Sequence, residues 1–154
     1  GIERDGKVLF LGQVETHATI RAFFPPGTAS AMHASGIGKA LLSRTDDKRH
    51  RAVLAAGQLE QFTPPTPTEP DAIIVDLRAA KLRGYAIDGE ERNLGMRCSA
   101  APVYNVFGEA VAGVSVSGPT SRITQDRIED LAAPVMQAAA DLTIAIGGNG
   151  RPAG

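Results

Sequence analysis

Two serines in the run Val-Ser-Val-Ser-Gly have a spacing that suits the binding of a polar ligand. Because side chains alternate across a strand, Ser115 and Ser117 point to one face of the predicted strand, and Val114 and Val116 point to the other. Two hydroxyls on one face can hold a polar ligand. The same pattern also marks the solvated face of a half-buried strand, and the residues alone favour that simpler interpretation.

The run Ser-Gly-Ile-Gly-Lys that begins at Ser35 resembles a phosphate-binding loop only superficially. A Walker sequence needs a glycine where this chain has His33, and Ser or Thr where it has Ala40. The binding of nucleoside triphosphates is therefore excluded. Glycines at a helix start still expose backbone N–H groups beside a partial positive charge, which suits a carboxylate. A plain glycine-rich helix cap is the more ordinary interpretation.

Cys98 is the only cysteine of the chain, so an internal disulfide and a cysteine-based zinc site are both excluded. It shares one face of a predicted strand with Met96 and Ala100. A lone cysteine on a strand is usually a small core residue. A catalytic thiolate would need a base nearby, and His33 is the candidate for that base.

The loop that begins at Asp88, with the sequence Asp-Gly-Glu-Glu-Arg, carries four charges in five residues, which is typical of a solvated segment. Asp88 differs because it ends a predicted strand, where a side chain can point into a cleft. The loop lacks the ligand spacing of a calcium site, and His17, His33 and His50 lack the spacing of metal ligands. We therefore expect neither a metal nor a cofactor.

The elements that must position these groups follow an order of hairpin, helices, strands and a last helix, which predicts an α+β domain with an antiparallel sheet flanked by helices. The pattern predicts strands over Lys7–Val14, Thr16–Phe24, Tyr85–Asp88, Met96–Asn105 and Glu109–Gly118. A turn at Gly108 joins the last two strands, and a long loop runs from Pro25 to Ser35.

Four helices are expected between and after these strands, each with a recognisable start or stop. They are Gly36–Arg44 with Ser35 as N-cap, Asp46–Ala56 closed by Gly57, Glu69–Arg83 ended by Gly84, and a long helix from Thr124 to about Ile146. The buried stripe predicted for the last helix consists of Ile128, Leu131, Ala132, Val135, Ala139 and Leu142.

Length and composition set the class of protein. The 154 residues, of which 43% are hydrophobic, suffice for one folded domain over residues 1–146 with a tail over 147–154. A net charge of −1 argues against a chain that mainly wraps nucleic acid. No apolar run is long enough to span a membrane and no secretory signal is visible, so we expect a cytoplasmic domain. The missing initiator methionine suggests a fragment of a longer protein.

Three ordered blocks resemble a known family. The first is Met32–Leu42, the second runs from Arg83–Glu91 into Leu94–Val103, and the third is Ala112–Pro119, followed by Ser121 and Arg122. Together they resemble the effector domain of the isocitrate lyase regulator (IclR) family. Because the blocks keep their order and span most of the chain, the match is more specific than a single short motif.

The resemblance implies a GAF-like or profilin-like fold and a role in bacterial transcriptional regulation. Members of the family carry an N-terminal winged helix-turn-helix that binds DNA, which is absent from this chain. Their C-terminal domain holds small organic acids and takes part in the pairing of dimers into tetramers. The expected partners are therefore a small carboxylate, further copies of the chain, and DNA only through the absent domain.

The resemblance also places the effector site residue by residue. Backbone amides, a strand-end acid, a thiol and two hydroxyls are expected there, and the residues are Ser35, Gly36, Ile37, Asp88, Cys98, Ser115 and Ser117. Asp88 is unusual because a second carboxylate repels an anion, so it must accept from a hydroxyl, be protonated or bind through water. Some relatives bind zinc near this pocket, and no ligands for zinc are visible here.

Two alternatives to an effector-sensing domain remain open from the residues. One is a small enzyme with Cys98 as nucleophile and His33 as base. The other is an oligomerisation module whose pocket no longer binds a ligand. Accessibility of the thiol and binding of small acids are the observations that separate these three hypotheses.

Overall fold

The described part of the chain, residues 1–19, 24–56 and 59–150 of a computed structural model, contains six strands and five α-helices. The strands are β1 (Ile2–Arg4), β2 (Lys7–Leu9), β3 (Ala29–Ala31), β4 (Ala86–Gly89), β5 (Met96–Tyr104) and β6 (Ala110–Pro119). The helices are α1 (Gly36–Leu42), α2 (Asp47–Ala56), α3 (Pro70–Arg83), α4 (Gln125–Asp130) and α5 (Ala132–Ala145). A 3₁₀ turn over Met32–Ala34 precedes α1.

The strands form two antiparallel sheets, in the orders β1-β2-β3 and β4-β5-β6. The two sheets meet where Gly1 and Gly113 exchange backbone hydrogen bonds, at 2.9 and 2.8 Å. Such a reciprocal pair is the bonding unit of an antiparallel ladder, so this single pair joins the chain just before β1 to the outer edge of β6. The predicted α+β class with an antiparallel sheet is confirmed.

Strand β5 is the centre of the domain because helices cover both of its faces. Cys98 and Ala100 belong to the core on the side of α1 and α3, whereas Ala101 and Val103 pack against α5 on the other side. All seven residues of α1 are buried, and the helix packs on β5 and β6. A cavity beside α1 is therefore walled by the sheet as well as by the helix.

The N-terminal strands differ from the prediction. The strand expected over Lys7–Val14 ends at Leu9, because Phe10 bonds out of register, with its N–H donating to Thr28 at 2.9 Å and its carbonyl accepting from Gly27 at 2.8 Å. The strand expected over Thr16–Phe24 is wrong in its described part, since residues 16–19 and 24 form none, and residues 20–23 lie outside the described chain.

The place of that second strand is taken by β3, which lies inside the segment expected to be a long loop. Strand β2 instead forms its hairpin with β1, through a turn in which Asp5 and Gly6 both have positive φ, 53° and 75°. An Asp-Gly pair with these angles suits the tight hairpin turn.

Helix boundaries follow their predicted caps. Ser35 accepts a hydrogen bond from the N–H of Gly38 at 3.3 Å, which confirms it as the N-cap of α1, although the helix ends at Leu42. Gly84 ends α3 with a φ of 92°, as a left-handed C-cap does. Gly57, the predicted stop of α2, lies outside the described residues.

The long C-terminal helix is wrong as predicted, because the chain forms α4 and α5 with a break at Leu131. Pro134 explains the break, since it has no N–H for the carbonyl of Asp130 and its ring crowds that carbonyl. The buried stripe also shifts. Leu142 is 40% exposed and Leu131 is half-buried, so both were placed wrongly.

Thr143 is buried in place of Leu142, and its Oγ1 accepts the N–H of Tyr104 at 3.0 Å. The hydroxyl thereby fastens α5 to the end of β5. The stripe predicted at Ile128, Ala132, Val135 and Ala139 is buried as expected. Among the described residues, no helix is long and apolar enough to cross a membrane.

Candidate functional site

The register of the sheet brings the strand residues of the predicted site together. Cys98 pairs with Asp88 on one side and with Ser117 on the other. Ala100 pairs with Ser115, two residues further along the same face. Side chains opposite each other on one face of an antiparallel pair have Cβ atoms about 4.5–5.5 Å apart. The acid, the thiol and the hydroxyls therefore form one polar row on the α1 side of the sheet.

Helix α1 places its first turn over this row. Gly36 permits the approach, because a Cβ there would lie 2.7 Å from the Sγ of Cys98. Gly113 on β6 permits it on the other side, since a Cβ there would lie 2.8 Å from a methyl of Ile37. The first N–H groups of a helix have no partner within the helix, so those of Gly36 and Ile37 offer donors at this end.

One cavity lies between the helix start and the strand row, and its volume is about 20 Å³. Its lining contains all seven residues predicted for the site together with five others, and the full set is Phe10, Phe24, Ser30, Ala34, Ser35, Gly36, Ile37, Asp88, Arg92, Cys98, Ser115 and Ser117. A space of this size holds about one water molecule. The side chains as they stand in this structure therefore leave no room for a larger molecule between them.

Two phenylalanines, one just after β2 and one in the segment before β3, line the cavity. The rings of Phe10 and Phe24 stack with centroids 4.9 Å apart and an angle of 12° between their planes. Ser30 on β3 adds a hydroxyl from the same side. The sequence did not indicate these three residues, because β3 was expected to be a loop and Phe24 was placed in a strand.

Asp88 is buried, and burial followed by the nearby charge of Glu91 raises its pKa to about 6. Its Oδ1 accepts the backbone N–H of Glu91 at 2.7 Å, which opposes that rise. The carboxyl group thus titrates close to neutral pH. Of the three roles open to Asp88 from the sequence, protonation is therefore within reach under mildly acidic conditions.

Cys98 has the properties of a structural cysteine. Burial raises the pKa of its thiol to about 11, against the opposing effect of hydrogen bonds with Ser117 and Ser115. The nucleophile in cysteine chemistry is the thiolate, which this environment suppresses. His33 lies outside the cavity, with its Nε2 3.0 Å from the carbonyl oxygen of Glu60. The structure does not form the Cys98–His33 pair that an enzyme would need.

Lys39 follows the glycines of α1 and forms buried ion pairs that the sequence did not predict. Its side chain is 1% exposed, and its Nζ donates to Asp76 at 2.8 Å and to Glu91 at 2.7 Å. Burial lowers the pKa of the Lys39 ammonium, but the charges of Glu91 and Asp76 outweigh it and raise the pKa. Burial also raises the pKa of Glu91, although Lys39 opposes this.

The loop of residues 89–95 is partly solvated, as expected, and it is also fastened on several sides. Thr63 donates its hydroxyl hydrogen to the carbonyl oxygen of Glu90 at 2.7 Å, and Thr66 does the same for Glu91. The carboxylate of Glu90 accepts the N–H of Gly95 at 2.9 Å. Together with Lys39, these bonds hold the backbone beside Asp88.

Among the described residues, Arg92 is the only cation that lines the cavity, and it was not one of the residues predicted for the site. Its guanidinium lies over the ring of Phe62, 4.0 Å from the ring centroid. A basic residue four positions after a site acid in the same loop was the available signal. Within the described ranges, no group of three or more His, Cys, Asp or Glu residues could hold a metal ion.

We expect Gly36→Ala to destabilise the domain by about 1–3 kcal/mol, because overpacking of a tight contact costs this much. The new Cβ would meet the Sγ of Cys98 at 2.7 Å. Cys98→Ala removes that atom, so the double variant should lose less stability than the two single variants combined. Urea unfolding of the four proteins measures this coupling.

Gly89→Ala is the matched control, since a Cβ there meets nothing within 4 Å and the loss should be small. Strict additivity of Gly36→Ala and Cys98→Ala would contradict the close approach of α1 to β5.

Comparison with known proteins gives a consistent result. The family model "Bacterial transcriptional regulator IclR C-terminal" matches residues 1–144. The HTH-type transcriptional regulator BhcR of Paracoccus denitrificans is 52% identical over 143 residues, which are 93% of this chain and 51% of that protein. The HTH-type transcriptional repressor AllR of Escherichia coli K12 is 34% identical, over 98% of this chain and 56% of its own length.

Solved structures show the same fold. The IclR protein of Thermotoga maritima superposes with a TM-score of 0.89 at 27% identity, over 95% of this chain and 59% of that one. The C-terminal domain of the E. coli transcriptional regulator KdgR gives a TM-score of 0.84 at 26% identity, over 96% and 85%. The chain spans about half the length of the curated relatives it matches.

Proposed function

The chain belongs to the IclR family of bacterial transcriptional regulators, as their C-terminal domain, and we propose from this that its cavity senses a small carboxylate. Its relatives are named as regulators and repressors, so the domain is regulatory and not an enzyme. In the whole protein, binding of the acid would control the attachment of an N-terminal winged helix-turn-helix to DNA. The domain would also pair with copies of itself in dimers or tetramers.

The observation that carries the proposal is the convergence of the seven residues predicted for the site on one cavity. They supply donors of the kind that a carboxylate needs, namely helix-start N–H groups at Gly36 and Ile37 and the hydroxyls of Ser115 and Ser117. The thiol of Cys98 adds a soft, weakly polar wall between the donors. Hydrogen bonds to a charged group are the strong ones, so this set favours an anion over a neutral molecule of the same size.

The size of the cavity indicates how binding of the effector would change the domain. Because about 20 Å³ holds about one water molecule, an organic acid fits only after the walls move apart. A ligand that binds only the open arrangement shifts the population toward it, by as much as its affinity for the two arrangements differs. The stacked pair Phe10 and Phe24 lies on the wall formed by the segments that flank β2 and β3, and Gly1 and Gly113 join the sheet of β1, β2 and β3 to β6.

Thermal unfolding against a panel of small acids tests the proposal. The panel contains pyruvate, glyoxylate, aromatic acids and sugar acids. A ligand at 100 times its dissociation constant stabilises the folded state by about 2.7 kcal/mol, which raises the midpoint by several degrees. We expect one class of acid to do so. A flat response across the panel would contradict carboxylate sensing and favour an oligomerisation module.

We expect Ser115→Ala and Ser117→Ala, made separately, each to weaken binding of the active acid by about 1.5–3 kcal/mol, the value of a hydrogen bond to a charged group. That loss corresponds to about a tenfold to hundredfold rise in Kd, which titration calorimetry measures. Ser121→Ala, at an exposed serine two residues after β6, is the control and should leave the Kd unchanged. Unchanged affinity in both strand variants would place the acid elsewhere.

A further inference from the structure

Arg92 lies between the closed cavity and a larger neighbouring groove. The groove has a volume of about 430 Å³ and is lined by Lys7, Ser30, His33, Glu60 and Phe62, among others. Arg92 and Ser30 line both spaces. A movement of the Arg92 side chain therefore changes the boundary between a cavity that holds about one water molecule and a groove of the size that ligands occupy.

The guanidinium of Arg92 has no carboxylate partner among the described residues. It lies over Phe62, 4.0 Å from the ring centroid, and the ring of His33 stacks on Phe62 with centroids 6.0 Å apart. Other arginines near the site behave differently, since Arg97 approaches Glu90 at 3.4 Å and Arg83 approaches Asp76 at 3.5 Å. A cation on an aromatic ring is held more weakly than one in a bidentate pair with a carboxylate.

The backbone of Arg92, in contrast, is held firmly. Asp88 accepts a hydrogen bond from the backbone N–H of Glu91, the residue before Arg92, at 2.7 Å. Glu91 is itself bound to the buried Lys39 at 2.7 Å. The side chain of Arg92 can therefore turn from Phe62 toward the cavity while its Cα keeps its place.

We propose that Arg92 selects the charge of the effector and opens the cavity to it. This inference rests on the proposed function and names a residue that determines its specificity. The carboxylate of the incoming acid draws the guanidinium from Phe62 and binds it through two parallel hydrogen bonds. Turning of the side chain joins the cavity to the groove, which accommodates the remainder of an acid too large for the cavity alone.

The proposal predicts opposite effects for the two partners of the ring contact. Arg92→Met removes the cation, and we expect it to raise the Kd for pyruvate and glyoxylate about tenfold or more. Phe62→Leu removes the competing ring, so it should lower the Kd about two- to tenfold. Arg92→Lys keeps the charge without the two parallel bonds and should fall between the unaltered protein and Arg92→Met. Titration calorimetry of the 154-residue chain with each acid measures all four proteins.

Arg51→Met, at an exposed arginine of α2 that lines none of these spaces, is the matched control and should leave the Kd unchanged. Circular dichroism spectra and midpoints within a few degrees of the unaltered protein establish that each variant is folded. If Arg92→Met and Phe62→Leu change the Kd in the same direction, or Arg92→Met changes nothing, Arg92 is a packing residue and the inference is wrong. If the unaltered protein binds no acid of the unfolding panel, the proposed function fails, and this inference fails with it.

Discussion

Replacing Lys39 with methionine should lower the free energy of unfolding by about 3–5 kcal/mol at neutral pH, the usual result of removing one partner from a buried ion pair. The Nζ of Lys39 bridges Asp76 on α3 and Glu91 in the loop beside the cavity, at 2.8 and 2.7 Å. Methionine fills a similar volume but leaves Glu91 charged, largely buried and without its cation. Urea unfolding at pH 7.5 measures the loss.

The loss should shrink in acid, because the uncompensated Glu91 escapes by taking up a proton. Burial already raises its pKa, and removal of Lys39 raises it further. The double variant Lys39→Met/Glu91→Gln should therefore be more stable than Lys39→Met alone at pH 7.5. Lys48→Met, at an exposed lysine of α2, is the control and should change stability by less than about 0.5 kcal/mol. An equally small effect of Lys39→Met would show that the pair contributes nothing.

The ion pair of Lys39 shows what the sequence could not provide. The lysine was recognised only as a residue of an incomplete phosphate loop. Its partners Asp76 and Glu91 lie 37 and 52 residues further along the chain, and no local pattern connects them. The sequence could reject nucleotide binding, because the Walker residues are missing. It could not assign Lys39 another role, because burial of all of α1 depends on the fold around the helix.

Local rules predicted the parts of the site that depend on local geometry. The N-cap at Ser35 follows from the residue type and the helix start, and Ser115 and Ser117 share a face because strands alternate. The sequence could not fix the register that places Cys98 opposite both Asp88 and Ser117. The resemblance to a family predicted that these residues share one site, and the pairing of β5 with β4 and β6 explains why they lie together.

The elements that were wrong depend on competition between distant segments. Residues 16–19 had strand-forming types, yet β3 pairs with β2 instead, and Phe10 bonds to the segment just before β3 at Gly27 and Thr28. The break between α4 and α5 could have been predicted from Pro134, but the apolar periodicity on both sides of it favoured one continuous helix. Arg92 was missed because its partner Phe62 lies on a distant segment of the chain, which no local pattern connects to it.

Replacing Asp88 with asparagine should raise the free energy of unfolding by about 3 kcal/mol near pH 8. The pKa of the carboxyl group rises from 3.8 to about 6 in the folded protein, chiefly through burial and then through Glu91. Each unit of such a rise is about 1.4 kcal/mol. Above the folded pKa, the ionised group destabilises the fold by this amount, and asparagine removes the charge while keeping an oxygen that accepts the N–H of Glu91.

The advantage of Asp88→Asn should disappear as the pH falls. A carboxyl group with a raised folded pKa takes up its proton first in the native state, so the unaltered protein gains stability between about pH 6 and pH 4. Urea unfolding of both proteins across that range measures the convergence. Asp126→Asn, at an exposed position in the first turn of α4, is the control and should be neutral or slightly destabilising. A difference independent of pH would contradict the raised pKa.

The same titration links stability to sensing. A carboxylate bound beside Asp88 favours its protonated form, so the unaltered protein should bind the acid more tightly as the pH falls through about 6. Asp88→Asn, with no proton to take up, should lose that dependence and keep a nearly constant Kd. The ionised side chain of Asp88 is expected to destabilise the fold at neutral pH. Groups that cost stability in this way are often kept for function, and here that function would be a pH-dependent affinity for the effector.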